Sequence, residues 1–102
     1  MAQGLGQALT EDTIYDAAGQ LVSGSFMDYA LPRADLMPDM TVEHRPAACR
    51  TNPLGVKGTG EAGTTAAPPA VINAILDALP KGATLHMPAT PERIWKALQA
   101  AK

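Results

Sequence analysis

Thr51-Asn-Pro-Leu-Gly-Val-Lys-Gly-Thr-Gly-Glu-Ala-Gly-Thr-Thr-Ala-Ala-Pro-Pro-Ala-Val-Ile-Asn-Ala-Ile75 places one carboxylate, Glu61, inside a loop of small residues and follows it with a double proline. Gly58, Gly60 and Gly63 carry no side-chain bulk and are free to take φ > 0. A large group can therefore come close to this loop with a single acid facing it. Pro68 and Pro69 predict the opening of a helix, because the first turn needs no backbone N–H partner. Val71, Ile72, Ile75, Leu76 and Leu79 then fall on one apolar stripe at helical spacing, with Asn73 and Asp77 facing elsewhere. Pro80-Lys-Gly82 stops the helix.

Outward from this stretch the pattern changes. Thr90-Pro-Glu-Arg93 opens a last helix, with Thr90 as N-cap, Pro91 at its first position, and Ile94, Trp95 and Leu98 as its buried face. Residues 1–11 predict a short helix with Leu5, Ala8 and Leu9 on one side; Gly4 and Gly6 make it weak in isolation. Thr13-Ile-Tyr15, the turn Asp16-Ala-Ala-Gly19 and Gln20-Leu-Val-Ser23 suggest a β-hairpin. Residues 24–40, with Pro32 and Pro38, form an irregular crossing segment. Met40-Thr-Val-Glu-His-Arg45 alternates like a strand, with His44 inward, until Pro46 ends it. The expected fold is α+β: a small antiparallel sheet with about three helices.

Composition narrows the function classes. At 102 residues the chain is at most one small domain. Its apolar fraction is 46%, but aromatics are only 4% and much of the rest is alanine, so a marginal core is expected for the chain alone. A formal charge of −2 with scattered basic residues argues against nucleic acid, whose phosphates require clustered Lys and Arg. One cysteine, Cys49, excludes an internal disulfide and a Cys-rich metal site. No apolar run approaches the roughly 20 residues of a spanning helix, and the N-terminus lacks the regions of a signal peptide. A cytoplasmic chain without membrane partners is expected.

Two phosphate-binding patterns fail on context. Gly58-Thr-Gly-Glu-Ala-Gly63 fits G-x-G-x-x-G, yet Pro53 and Gly55 spoil the strand that must precede it. A P-loop needs Lys where Glu61 stands. His44 and His86 lack partners at ligand spacing, so no metal held by protein side chains is expected. Met27, Met37, Met40 and Met87 read as gap-filling packing, and Trp95 as the anchor of the last helix.

Five ordered words carry a family resemblance: Gln3-Gly-Leu-Gly-Gln7, Gly24-Ser-Phe-Met-Asp-Tyr-Ala-Leu-Pro-Arg33, Asn52-Pro-Leu-Gly-Val-Lys-Gly-Thr-Gly-Glu-Ala-Gly63, Pro68-Pro-Ala-Val-Ile-Asn-Ala-Ile75 and Met87-Pro-Ala-Thr-Pro-Glu-Arg-Ile-Trp95. Together they resemble the C-terminal part of the large, molybdopterin-binding subunit of the molybdenum hydroxylases, the xanthine dehydrogenase and aerobic carbon monoxide dehydrogenase family. The wording of Leu54-Gly-Val-Lys-Gly58 and Met87-Pro-Ala-Thr-Pro-Glu-Arg93 is most similar to the carbon monoxide dehydrogenase-like branch. Cys49 lies outside that branch's cysteine loop and receives no copper-ligand role.

The resemblance implies that residues 1–102 are one incomplete domain, a C-terminal segment that is not active alone. It implies that Glu61 is the general base that takes a proton from a molybdenum-bound hydroxyl during substrate hydroxylation, a role that needs hydrogen-bond reach and a suitable pKa. Beside this stands a plain alternative: a solvated glutamate in a turn, or one favoured by the dipole of the following helix. Gly58, Thr59 and Gly60 would line the cofactor by backbone contact, against the alternative of an ordinary turn. Lys57 would add positive charge near a dinucleotide phosphate, or remain solvated. Gln3 and Gln7 share a helix face that supports the cofactor cleft, or pack within the larger domain. The implied cofactor is molybdenum-molybdopterin, in the cytosine dinucleotide form, with none on the isolated chain. The implied partners are the rest of the large subunit, iron–sulfur and FAD subunits or domains, and a small-molecule substrate. Two further readings stand: a separately made docking piece that completes a split large subunit, and an inactive fragment.

Overall fold

Three α-helices carry the regular structure: α1 (Ala2–Leu9), α2 (Ala62–Ala78) and α3 (Pro91–Ala100), with one 3-10 turn at Ala34–Leu36. The computed structural model describes residues 1–101. Among them there is no β-strand, so the expected α+β fold with an antiparallel sheet is corrected to an all-helical arrangement joined by long irregular segments. The hairpin survives as one antiparallel bridge between Tyr15 and Leu21, with Val22 N–H donating to the Ile14 carbonyl at 2.9 Å. Met40–Arg45 is exposed throughout and joins no ladder. Its alternation fits an extended backbone, but a strand also needs a partner for its N–H and C=O groups, and among the described residues no ladder forms there.

The two glycines that weaken α1 serve its packing. A Cβ on Gly4 would lie 2.9 Å from both Ala67 Cβ and Pro68 Cδ, and one on Gly6 would collide with Glu11 and Pro32. Each glycine costs about 1 kcal/mol of helix propensity; in return Gly4 lets α1 lie directly on α2, and Gly6 admits Glu11 and Pro32. Leu5 and Leu9 are half-buried beside buried Ala8, as the periodicity predicts.

α2 begins six residues before the predicted proline start. The Glu61 carbonyl accepts from Thr64 N–H at 3.0 Å and Thr65 N–H at 2.9 Å, which closes the first turn. Pro68 and Pro69 therefore sit inside the helix. They remove the bonds that the Thr64 and Thr65 carbonyls would otherwise accept. Pro68 is buried where α1 crosses, so packing offsets part of that loss. The predicted stripe holds: Val71, Ile72, Ile75, Leu76 and Leu79 are half-buried, and Asn73 and Asp77 are exposed.

α3 starts as predicted, with Thr90 Oγ1 accepting from Arg93 N–H at 3.3 Å and Pro91 in the first turn. Its predicted buried face does not form. Ile94 is half-buried, but Leu98 is exposed and Trp95 is 59% exposed, so Trp95 anchors nothing within the chain. The methionines are likewise not packing residues here: Met27, Met40 and Met87 are exposed and only Met37 is half-buried.

The centre is small. Ala8 and Ala89 are 0% and 2% exposed, and Ala89 N–H donates to the Ala8 carbonyl at 2.6 Å. Arg93 ties α3 to the same centre, donating to the Pro88 carbonyl at 3.0 Å and pairing with Asp12 at 2.7 Å. Thr10 Oγ1 donates to the Ala30 carbonyl at 2.8 Å, and buried Ser23 accepts from Ile14 N–H at 2.9 Å. The accessible surface is 8234 Å², against about 5,500 Å² for a folded monomer of this mass. The radius of gyration is 17.7 Å, against about 13 Å for a compact chain of this length. Among the described residues no helix is long and apolar enough to cross a membrane.

Candidate functional site

The loop before α2 is held from its upstream end. Cys49 N–H donates to the Gly55 carbonyl at 2.9 Å, and Gly55 N–H donates to the Asn52 carbonyl at 3.1 Å. Asn52 Nδ2 donates across the loop to the Val56 carbonyl at 2.8 Å. Gly55 takes φ 66°, a left-handed conformation that glycine adopts without strain. Positive φ was expected to be open to Gly58, Gly60 and Gly63; in the structure none of them uses it. The Cys49 thiol lies 3.1 Å from Thr51 Oγ1, and that hydroxyl, together with backbone N–H groups, holds its pKa below the usual thiol value.

This curl delivers Lys57 and the Gly58-Thr59-Gly60-Glu61 run to the start of α2. A Cβ on Gly58 or Gly60 would meet nothing within 4 Å, so the space in front of both residues is open. Glu61 occupies the N-cap position of α2 with φ −101° and ψ −2°. Its carbonyl is committed to the helix, while its exposed carboxylate makes no capping hydrogen bond. Gly63 differs from the other two glycines: its Cβ would come 2.9 Å from the backbone nitrogen of Met1, so it admits the start of α1.

An open depression of about 570 Å³ adjoins the loop, and His44, Arg45, Lys57 and Thr59 line it. Sequence reading treated His44 and Arg45 as strand residues with His44 inward; both are exposed, and they share this depression with Lys57. The available signal was charge: four basic-type side chains, His44, Arg45, Arg50 and Lys57, fall within fourteen consecutive positions. Asn52 Oδ1 is buried without a hydrogen-bond partner on the same loop. Clear backbone at Gly58 and Gly60 and a cationic rim suit a bulky, polar, anionic group held by main-chain contacts; the orphaned Asn52 acceptor calls instead for an N–H or O–H donor. Among the described residues no cluster of three His, Cys, Asp or Glu side chains could hold a metal ion directly. Gln3 and Gln7 lie exposed on α1, and Gln3 Oε1 accepts from Thr64 Oγ1 at 3.5 Å. His86 lies apart from the loop, beside α3.

A family model of the molybdopterin cofactor-binding domain matches residues 1–38. Over 99 residues the chain is 43% identical to the nicotine 6-hydroxylase large subunit of Paenarthrobacter nicotinovorans, covering 95% of this chain and 12% of that protein. The chain belongs to the molybdenum hydroxylase family. Another member, the carbon monoxide dehydrogenase large chain of Hydrogenophaga pseudoflava, is 31% identical over 101 residues, covering 97% of this chain and 13% of that one. Identity to this molybdenum hydroxylase segment is thus higher for the nicotine enzyme, 43%, than for this carbon monoxide dehydrogenase chain, 31%. The crystal structure of quinoline 2-oxidoreductase from Pseudomonas putida 86 superposes with a TM-score of 0.86 at 41% identity, over 96% of this chain and 13% of that one. The segment therefore spans only about an eighth of the length of these relatives.

Proposed function

We propose that this chain is a C-terminal segment of a molybdenum hydroxylase large subunit and that Glu61 is the general base of the assembled enzyme. Residues 1–102 form one incomplete domain, inactive alone, which reaches its working state against the rest of the large subunit. The surface excess supports this, because about 2,700 Å² more is exposed than the mass requires. Iron–sulfur and FAD subunits or domains complete the complex, in the cytoplasm.

The observation that carries the reading is the placement of Glu61: an unengaged carboxylate at a fixed helix start, next to a loop whose backbone is open. Gly58, Thr59 and Gly60 would hold the molybdopterin by main-chain contact, and Lys57 with Arg45, which line the adjoining depression, would supply positive charge for the phosphates of its cytosine dinucleotide form. When bound, that cofactor supplies two-electron oxidation with water as the oxygen source. Glu61 supplies the proton acceptor: a carboxylate oxygen within hydrogen-bond reach takes the proton released as the carbon–oxygen bond forms.

The names of the relatives at 43% and 41% identity, nicotine 6-hydroxylase and quinoline 2-oxidoreductase, favour a nitrogen heterocycle as substrate. The test is Glu61→Gln in the complete, cofactor-loaded large subunit. A fall in kcat of about 10²–10⁴-fold is expected, with metal content unchanged. Unchanged turnover would remove the base assignment.

A further inference from the structure

The open loop does not explain what fixes Glu61. A Cβ on Gly58 or Gly60 would meet nothing within 4 Å, so side-chain packing at these two positions does not hold the loop. The constraint lies on the other side, in the first two turns of α2. A Cβ on Gly63 would lie 2.9 Å from Met1 N and 3.5 Å from Met1 Cγ. Thr64 Oγ1 donates to Gln3 Oε1 at 3.5 Å. A Cβ on Gly4 would lie 3.2 Å from the Thr64 carbonyl oxygen and 2.9 Å from Ala67 and Pro68 side-chain atoms. Residues 1, 3 and 4 of the chain thus meet residues 63, 64, 67 and 68, all directly downstream of Glu61. Two of these contacts have no spare room, and both involve a glycine set against backbone or ring atoms, which cannot swing aside as a flexible side-chain end would.

We propose that α1 is the element that positions Glu61 and that Gly63 is the positioning residue through which it acts. The inference rests on the assignment of Glu61 as the base. A methyl group at position 63 meets the Met1 backbone, so the first turn of α2 must move off α1 and carry Glu61 with it. Because the Glu61 carbonyl holds Thr64 and Thr65 N–H, the displacement passes directly to the catalytic residue.

The test uses Gly63→Ala and Thr64→Val in the complete molybdenum-loaded large subunit, with Ala66→Ser on the exposed side of the same helix as control. Two readouts are taken: the separate kcat and KM values, and amide hydrogen exchange of residues 61–65. Gly63→Ala is expected to lower kcat about tenfold with KM unchanged, since small misplacements of a reacting group are costly, and to speed exchange at 61–65. Thr64→Val, which removes only the bond to Gln3, is expected to move both readouts in the same direction by less; it decides the matter if Gly63→Ala does not assemble. Faster exchange with unchanged kcat, or unchanged exchange in both variants, overturns the proposal. Glu61→Gln assayed alongside separates the two claims: if its turnover is intact the base reading fails, whereas the exchange data still report whether α1 holds the start of α2.

Discussion

The corner where α1 meets α2 and the long segment from residue 24 to residue 60 are built on opposite terms. In the corner, Gly4 and Gly63 sit where a methyl group would strike the facing element, and Ala8 is fully buried. In the long segment the only regular element is one 3-10 turn, Phe26 is 87% exposed and Met27 is 93% exposed. The corner is finished within the chain. The segment displays apolar side chains whose burial requires a surface from elsewhere. Apolar content alone cannot separate these cases; the distribution of small and large residues does, since small ones mark contacts already made and large exposed ones mark contacts still open.

The largest expected effect breaks the comparison on the open side. Replacing Phe26 and Met27 with Ser is expected to leave thermal unfolding of the 102-residue chain unchanged. It should weaken assembly of the large subunit by about 1.5–3 kcal/mol per side chain, read as yield of assembled, cofactor-loaded enzyme. An equal loss in the isolated chain would show that these residues pack internally. On the closed side, Gly4→Val places a branched side chain against Ala67 and Pro68. It is expected to destabilise the chain itself by about 1–3 kcal/mol, measured by denaturant unfolding.

The contrast also explains what could be read from the amino-acid sequence. The start of α3 was legible because Thr90 and Pro91 act on their own neighbours, and the α2 stripe was legible because its period is local. The start of α2 was missed because Pro68 and Pro69 were weighed only for their own preference for a first turn. Their place in the second turn is supported from across the molecule, by Gly4 of α1. The strands failed for a related reason: Met40–Arg45 has the alternation of a strand and no ladder partner within the chain. Trp95 and Leu98 follow helical spacing correctly, yet the described residues leave them 59% and 36% exposed. In the candidate site, Glu61 stood out by its setting among small residues. Its relation to α1 spans sixty positions and leaves no local pattern.

The smallest effect sharpens the boundary at α3. Lys96 pairs with Glu92 at 2.5 Å one turn away and, through a hydrogen bond and charge attraction, holds the Glu92 carboxyl below its usual pKa. A carboxyl with a lowered folded pKa adds stability that is present above its unfolded pKa and fades as pH falls through the folded one. Lys96→Ala is therefore expected to return the Glu92 titration towards the usual glutamate value, followed by its side-chain NMR shift. Melting near neutral pH should scarcely change, because both groups are solvent-exposed.

The large surface has a consequence for how this protein is to be measured. Under the proposed assembly, a chain with about half again the accessible area its mass requires would hold much of its folding free energy in mass action with the rest of the large subunit. A neighbour present at a hundredfold excess over its dissociation constant adds about 2.7 kcal/mol, and dilution takes the same amount away. Its melting temperature is then a reading of partner concentration as much as of sequence. Mutational effects on it have meaning only at a stated stoichiometry.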